Sequence, residues 1–354
     1  MSGTGMIQVF DGHNDTILSL GETGRSFFER GAVGHVDLPR ALEGGMCGGF
    51  YAVWVPNPEV TLDPTADATK SPYSGDGAPL PMMSTAHAQA YTLDALGRLI
   101  QIARASEGKV AIVRTVAELR AALANGQHAM ELHLEGAEAI DPGLTSLEVF
   151  YAAGVRSIGL VWSRENLFGH GVPFRFPGSP DTGPGLTDAG KALVRACNEL
   201  GILLDVSHLN EAGFWDLAGI TRHPIVATHS CVHVLSQATR NLTDKQLDAI
   251  RDSDGIVGVN YAIGFLSPTG DRDPANVPAR ILADHVDYLV NRIGIDRVAL
   301  GSDYDGATIP GDMKDVAGQQ VIIAELRARG YDDVALNKLG TVNWLRILEQ
   351  TWKA

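Results

Sequence analysis

The hydrophobic residues of the chain fall into short apolar runs and into longer stretches where apolar residues recur every three to four positions. A short apolar run bounded by polar or turn residues is typical of a buried strand, and the longer pattern is typical of an amphipathic helix. Eight runs are predicted as strands, at residues 7–12, 48–55, 129–135, 155–162, 202–207, 225–228, 256–261 and 298–301. A ninth run, at residues 110–113, fits either an accessory strand or part of a barrel strand.

Helical patterns lie between these runs, at residues 84–106, 116–124, 187–200, 210–218, 243–252, 279–293 and 333–350. Strands that alternate with helices predict βαβ units and a parallel sheet. Residues 202–204 and 225–227 are apolar on both strand faces, which favours a sheet covered on both sides. Eight such units predict an α/β fold of the (β/α)8 TIM-barrel type. The alternative is an open doubly wound sheet, but the first strand-to-helix turn lacks the glycine-rich phosphate-binding pattern expected there.

Two segments interrupt the alternation, at residues 56–81 and 164–184, and both are rich in proline and glycine. Each follows a predicted strand. Because loops at the carboxyl ends of barrel strands build active sites, both are predicted to be walls of a substrate pocket, and the alternative is plain surface insertions. The chain has no linker or repeat, so residues 1–354 are predicted to form a single barrel domain with loop insertions after several strands.

The carboxyl ends of the barrel strands should meet at one mouth. The polar residues expected there are His13, Asp15, Glu135, His208, His229 and Asp303. His13 and Asp15 are two positions apart, so they project together if the first strand continues through Asp15. Imidazole and carboxylate ligands suit zinc. The set is sufficient for two ions, with His13 and Asp15 on the first, His208 and His229 on the second, and Glu135 shared.

Two cations about 3.5 to 4 Å apart can hold a water and activate it for attack on a carbonyl. Asp303 is then predicted to accept the proton of that water and to hand it to the leaving amine. Asp305 is an alternative proton carrier because it also lies near the strand end. His133 is an alternative ligand because it shares a strand face with Glu135.

Composition excludes several other classes of protein. The chain has 354 residues, a formal net charge of −14 and 45% hydrophobic residues. The negative charge, with no compensating basic patch, argues against partners such as nucleic acid or an anionic membrane. The chain contains no run of about 18 apolar residues, the length needed to span a bilayer. Residues 1–5 leave no room for a signal peptide. Three widely spaced cysteines, Cys47, Cys197 and Cys231, fit a reducing compartment.

In order along the chain, these residues form a series of short motifs. The series is Asp11-Gly12-His13-Asn14-Asp15, Glu135-Gly136, Asp205-Val206-Ser207-His208, Thr228-His229-Ser230, Arg240-Asn241 with Asp244, and Gly301-Ser302-Asp303-Tyr304-Asp305-Gly306. In these motifs the chain resembles the membrane (renal-type) dipeptidase family, binuclear zinc peptidases within the amidohydrolase-like metal-dependent hydrolases. The resemblance covers nearly the whole chain. It implies a barrel that is often a homodimer and that cleaves dipeptides, commonly those with a C-terminal D-residue.

The resemblance also implies roles for individual positions. The family's zinc ligands match His13, Asp15, Glu135, His208 and His229, which gives two zinc ions per chain. Its catalytic acid matches Asp303, and its arginine for the substrate carboxylate matches Arg240, a side chain suited to gripping a carboxylate with two hydrogen bonds. Where the renal-type enzyme has a substrate-contacting histidine, this chain has Trp162. Oxyanion stabilisation would then depend more on the metals or on His170. Without a signal or anchor, the resemblance implies a cytoplasmic bacterial-type member.

Three functions are compatible with these residues. The first is a zinc-dependent dipeptidase that hydrolyses short dipeptides, including L-Xaa-D-Xaa, through a metal-bridging water with Asp303 as proton shuttle. The second is a binuclear amidohydrolase of another substrate class, acting on a lactone, a phosphoester or another amide, because one barrel serves many chemistries. The third is a non-catalytic barrel that only binds a metal or ligand.

Overall fold

The computed structural model describes residues 5–58 and 80–353. Within these residues, all eight strands predicted from the sequence are present and form the barrel. They are β1 Val9–Asn14, β2 Met46–Trp54, β3 His128–Glu135, β4 Val155–Gly159, β5 Leu203–Asp205, β6 Val226–Ser230, β7 Ile256–Val259 and β8 Val298–Leu300.

The strands are hydrogen-bonded in sequence order from β1 to β8, and each adjacent pair is parallel. This sequential order gives a nearly closed barrel and excludes the open doubly wound sheet. The ninth run forms an accessory strand, Val110–Ile112, which pairs with β3 outside the barrel path.

The barrel closes where β1 meets the chain that follows β8, a contact called here the closing seam. A parallel bridge links Asn14 to Tyr304. The backbone N–H of Asp303 donates to the carbonyl of His13 at 2.9 Å. The Asp11 carboxylate accepts from the backbone N–H of Ser302 at 2.7 Å and from its hydroxyl at 2.8 Å. The seam thus brings together residues near the beginning and the end of the described chain.

Helices cover the outside of the barrel and connect its strands. In the described residues they are α1 Thr16–Thr23, α2 Leu38–Gly44, α3 Thr85–Ala105, α4 Val116–Ala124, α5 Thr145–Ala153, α6 Asp188–Leu200, α7 Glu211–Ala218, α8 Asp244–Asp252, α9 Ile263–Leu266, α10 Ala279–Ile293, α11 Gln320–Ala328, α12 Asp333–Asn337 and α13 Asn343–Thr351. No helix of the described ranges is long and apolar enough to cross a membrane.

The single helix predicted over residues 333–350 is wrong in detail. A π-helical turn, Lys338–Val342, separates α12 from α13. Within it, Gly340 packs against the backbone carbonyl of Gln8, which leaves no room for a Cβ atom. The side-chain periodicity of a π turn is too close to that of an α-helix for the sequence pattern to separate them.

The amino-terminal end of the barrel interior is filled by aromatic and aliphatic side chains. Phe10, Phe50 and Trp344 are buried together there with apolar residues of β5 to β8. Trp344, on α13, donates its indole N–H to the carbonyl of Leu300 at 3.1 Å. The C-terminal helix therefore plugs the amino-terminal end of the barrel, and the opposite end is left for the polar residues.

Of the two insertions, most of the first, at residues 59–79, lies outside the described residues. The second forms a short antiparallel hairpin, Glu165–Asn166 with Gly169–His170. After the hairpin, the backbone N–H of Val172 donates to the carbonyl of His208 at 2.9 Å. This insertion consequently lies over the carboxyl end of β5, at the mouth predicted for it.

Candidate metal centre

The side chains of three strand ends converge on the carboxylate of Glu135, the last residue of β3. Its Oε1 atom lies 2.9 Å from Nε2 of His208, 3.4 Å from Nε2 of His229 and 3.6 Å from Nε2 of His13. The Asp15 carboxylate lies 3.4 Å from Nε2 of His13. All five residues are buried. The five ligands predicted from the sequence therefore lie in one cluster.

The cluster divides into two overlapping groups whose ligand atoms lie within 4.8 Å of one another. One group is His13, Asp15 and Glu135, and the other is Glu135, His208 and His229. Glu135 belongs to both. This is the geometry expected for two cations that share one carboxylate.

Local backbone structure aims the two histidines of the second group. The Asp205 carboxylate accepts the N–H of Ser207 at 2.9 Å, which tightens the turn after β5. His208 then adopts a left-handed conformation with φ of 69°, so its ring turns back over the barrel mouth. His229 lies within β6 and points inward by strand alternation.

The other ring nitrogen of each of these histidines is hydrogen-bonded. Nδ1 of His208 lies 2.8 Å from the Ser163 hydroxyl, and Nδ1 of His229 lies 2.8 Å from the Thr228 hydroxyl. The Thr228 hydroxyl in turn donates to the Asp205 carboxylate at 2.5 Å. Metal-binding histidines are commonly oriented in this way through their second nitrogen. Sequence reasoning did not identify Ser163 or Thr228 in this role.

The arrangement of unpaired atoms fits a metal site. Among the described residues, neither ring nitrogen of buried His13 has a hydrogen-bond partner. Nε2 of His208 and Nε2 of His229 face each other at 3.1 Å, beside Glu135. Buried acceptor atoms that point at one another lack donors, and a divalent cation satisfies them together. A set of imidazoles and carboxylates is the donor set of zinc.

Charge and burial act in opposite directions within the cluster. Burial tends to lower the pKa of His13, but the carboxylates of Glu135 and Asp15 outweigh it and raise this pKa to about 10. Burial raises the pKa of Glu135 well above its usual range. Burial, with the positive charges of Arg240 and His13, lowers the pKa values of His208 and His229 well below theirs. These last two imidazoles are therefore neutral, the form in which histidine binds metal, whereas His13 would release a proton when a cation binds.

Asp303 lies at the edge of the cluster. It forms a group with His13 and His229 whose ligand atoms lie within 4.8 Å of one another. Burial raises the pKa of its carboxyl group. Its Oδ2 atom accepts from the side-chain amide of Asn260 at 2.9 Å. Asn260 follows β7 and was not among the site residues predicted from the sequence.

Asp305, the alternative proton carrier, has a different role. Its carboxylate pairs with Arg25 at 2.8 Å and accepts the backbone N–H of His35 at 2.5 Å and that of Val36 at 3.3 Å. These bonds hold the loop that follows α1. Because its oxygens face this loop, Asp305 is not placed to carry a proton at the cluster.

His133, the alternative ligand, lies apart from the candidate metal groups. It lies deeper in the barrel, where its Nδ1 atom is 2.7 Å from the Ser157 hydroxyl. It joins none of the possible metal groups found in residues 5–58 and 80–353. Sharing a strand face with Glu135 placed it in the next layer down, one strand repeat from the mouth. His170 lies on the hairpin, 3.9 Å from Glu165, and is likewise outside these groups.

Arg240 is a buried cation beside His229, one of the two histidines of the second group. Its Nη2 donates to the carbonyl of His229 and its Nη1 to the Ser230 hydroxyl, both at 2.9 Å. In the described part of the chain its Nε has no hydrogen-bond partner, and both of its side-chain hydrogen bonds are to uncharged oxygens. Its guanidinium lies over the ring of Phe265. The positive charge is thus available at the mouth.

Aromatic side chains form the wall beside His208. The Trp162 ring lies 5.7 Å from the ring of His208, 5.3 Å from that of Phe174 and 4.9 Å from that of Trp54. Phe174 belongs to the second insertion and also contacts Phe265. The predicted substrate-binding position Trp162 therefore lies at the mouth, against one of the candidate ligands.

Comparison with known proteins agrees with this geometry. The family model described as membrane dipeptidase (peptidase family M19) matches residues 5–354. The chain belongs to this family. As a member of the M19 family it is a metallo-dipeptidase, which confirms the predicted class of enzyme and the family expected from the motifs.

Relatives and solved structures of this M19 member support the assignment. A crystal structure of a metallo peptidase from Rhodobacter sphaeroides, with a phosphinate mimic of the dipeptide L-Ala-D-Ala, is 46% identical, with a TM-score of 0.92, and the match covers 98% of this chain and 100% of that one. An uncharacterized protein from Klebsiella pneumoniae is 48% identical over 73% of this chain and 95% of its own length. A dipeptidase of Claviceps purpurea is 25% identical over 98% of this chain and 78% of its own.

Proposed function

We propose that this M19 enzyme is a zinc-dependent dipeptidase that holds two zinc ions per chain and hydrolyses short dipeptides, including L-Xaa-D-Xaa. The observation that carries the proposal is the convergence of four ligand side chains on Glu135 beside a buried arginine that lacks a carboxylate partner. The solved relative that carries a mimic of L-Ala-D-Ala supports the stereochemical part.

In this proposal His13 and Asp15 hold the first zinc, His208 and His229 the second, and Glu135 both. When bound, the two ions would lower the pKa of a water between them and polarise the scissile carbonyl. Burial of the cluster strengthens each electrostatic interaction in it, because little water is present to screen the charges.

Asp303 is proposed as the proton shuttle. It lies beside His13 and His229, and burial raises the pKa of its carboxyl group above the ordinary value, which favours uptake of a proton. The proton would come from the attacking water and leave with the amine of the C-terminal product. Asp305 does not share this role, since its carboxylate is held by Arg25.

Arg240 is proposed to bind the substrate's terminal carboxylate. A guanidinium has five N–H donors, and two protein acceptors use one hydrogen on each outer nitrogen, so three donors, including Nε–H, are left. A carboxylate can take two of them side by side. Trp162 and Phe174 would wall the pocket between this clamp and the second zinc, where an apolar substrate side chain fits.

The test is release of free D-alanine from L-Ala-D-Ala, beside an L-Ala-L-Ala control. Zinc-loaded protein and the same protein stripped with a chelator are compared. We expect release only from the zinc-loaded form, with restoration when zinc is returned. The ratio of the two rates measures the preference for a C-terminal D-residue. No release from either dipeptide by protein with two confirmed zinc ions would refute the proposal.

A further inference from the structure

Asn260 connects β7 to the proposed proton shuttle. It is fully buried directly after β7, next to Asp303, which forms a possible metal group with His13 and His229. Its Nδ2 atom donates to Oδ2 of Asp303 at 2.9 Å. In the described part of the chain, no other side chain donates a hydrogen bond to the Asp303 carboxylate.

The direction of the Asn260 amide is fixed by the backbone that follows it. Its Oδ1 atom accepts the backbone N–H of Ala262 at 2.6 Å. A backbone N–H can only donate, so the amide oxygen must face Ala262 and the NH2 group must face Asp303. The amide therefore offers a donor to Asp303 and cannot rotate to offer an acceptor without losing a buried hydrogen bond.

The backbone of Asn260 is held as firmly as its side chain. Its N–H donates to the carbonyl of Ser230 at 3.3 Å, and its carbonyl accepts from the Cys231 thiol at 3.2 Å. These contacts attach it to the end of β6, which carries His229. The strand that carries the candidate ligand His229 therefore also holds the Asn260 amide in place beside Asp303.

Asp303 needs such a partner. Its backbone is in the left-handed region with φ of 62°, which is uncommon for a residue other than glycine. Its other oxygen, Oδ1, and Oδ2 of Asp15 both border Gly306, because a Cβ atom built on that glycine would clash with both of them. Two carboxylate oxygens on one side repel each other. A donor on the far oxygen prevents the Asp303 carboxylate from swinging away.

We propose that Asn260 is the positioning residue for Asp303: by donating to Oδ2, it turns Oδ1 toward the cluster, so that Oδ1 is the atom that carries the proton. The inference rests on the proposed function for the role of Asp303. Asn260 itself acts through the aspartate and touches neither substrate nor metal.

The first test compares Asn260→Asp with Asn260→Ala. Aspartate keeps the shape of the side chain and the acceptor for Ala262, but it places a second carboxyl group against Asp303. Alanine removes the donor without adding a charge or a proton. We expect both variants to lose about 10- to 100-fold in kcat, as for partners that orient active-site groups, with little change in KM and with two zinc ions bound. Asn343→Ala is the matched control, because Asn343 is equally buried and bonds only backbone carbonyls at the plugged end. It should keep wild-type kcat.

A double-mutant cycle with Asp303→Ala separates positioning from a general structural effect. If Asn260 acts through Asp303, Asn260→Ala should cause no further loss in kcat once Asp303 is absent. A loss of equal size in both backgrounds would overturn the proposal, as would wild-type kcat in Asn260→Ala.

A crystal structure of the Asn260→Ala variant gives a result that does not depend on activity. We expect the Asp303 carboxylate to leave its wild-type rotamer or to occupy more than one. An unchanged, fully ordered carboxylate would overturn the positioning role. Wild-type protein that cleaves no dipeptide would instead refute the proposed function, and the rotamer comparison would still decide the role of Asn260.

Discussion

Arg240 is a buried positive charge at the barrel mouth. A buried charge without a partner is costly, and Arg240 is buried with only neutral acceptors, the His229 carbonyl and the Ser230 hydroxyl. Burial also lowers the pKa of its guanidinium. A substrate carboxylate would relieve this cost, so part of the binding energy for substrate is already stored in the free protein.

Replacement of Arg240 by alanine should reduce kcat/KM for L-Ala-D-Ala at least roughly 30-fold. This corresponds to a loss of about 2 kcal/mol in transition-state binding, the usual cost of truncating one partner of a buried charge pair. The matched measurement uses L-Ala-D-Ala amide, which lacks the carboxylate. There, the variant and the wild type should differ little. Bound zinc is measured in the variant and in the wild type, because Arg240 also donates to the backbone carbonyl of the candidate ligand His229. An equal loss on acid and amide would show that Arg240 does not read the carboxylate.

Apart from the shared Glu135, the two proposed zinc ions take their ligands from different strands of the barrel. The first takes ligands from β1 and the second from the ends of β5 and β6, with β3 contributing to both through Glu135. Ser163 and Thr228 orient only the histidines of the second group. The two ions should therefore respond separately to changes in separate strands.

His208→Ala should weaken the second zinc much more than the first. Titration with a competing chelator should then reveal one tight and one weak ion per chain, where the wild type holds two tight ions. His133→Ala is the comparison variant, since His133 is an equally buried histidine one layer below the cluster. It should retain both ions. Equal weakening of both zinc sites by His208→Ala would contradict this division of ligands.

The sequence predicted the elements that matter most for the site. Alternation of apolar runs located all eight strands, and the rule that parallel strands end at one mouth located His13, Glu135 and Asp303. It could not separate His133 from the ligands, because depth in a barrel depends on strand tilt and register rather than on spacing. It also missed Asn260, because an amide at a strand end has no distinctive chemistry until its partner is known.

The barrel interior also contains an acidic group that lies outside the metal cluster and away from solvent. Glu131 is fully buried within β3, and the Ser157 hydroxyl lies 2.9 Å from both of its carboxylate oxygens. Burial raises its pKa to about 8. The folded protein therefore keeps this group protonated at neutral pH, whereas the unfolded chain ionises it near pH 4.5.

This difference makes stability depend on pH. The folded state binds the extra proton between about pH 4.5 and 8, so the contribution of Glu131 to stability is complete below that window and is lost as the pH rises through it. The total loss is on the order of 3–5 kcal/mol. Glu131→Gln keeps the shape but cannot ionise, so it should flatten the fall in unfolding free energy between pH 5 and 8.

Urea unfolding of the zinc-loaded protein at pH 5, 6.5 and 8 measures this effect. The exposed Glu148→Gln is the control, and it should follow the wild-type curve. A Glu131→Gln variant with the same slope as wild type would show that Glu131 is ionised in the folded barrel.

The closing seam has a consequence for how the protein is made. Asp11 and Ser302, which bond across it, are 291 positions apart. A chain emerging from the ribosome presents all five candidate ligands, the last of them His229, before β8 exists to hold His13 and Asp15 in register. Early segments can collapse during synthesis, but the complete cluster can form only after the final strand has docked. If the cluster holds metal as proposed, we expect stable metal binding only after the whole barrel has been synthesised, because an incomplete chain carries the ligands without the seam that holds them in register.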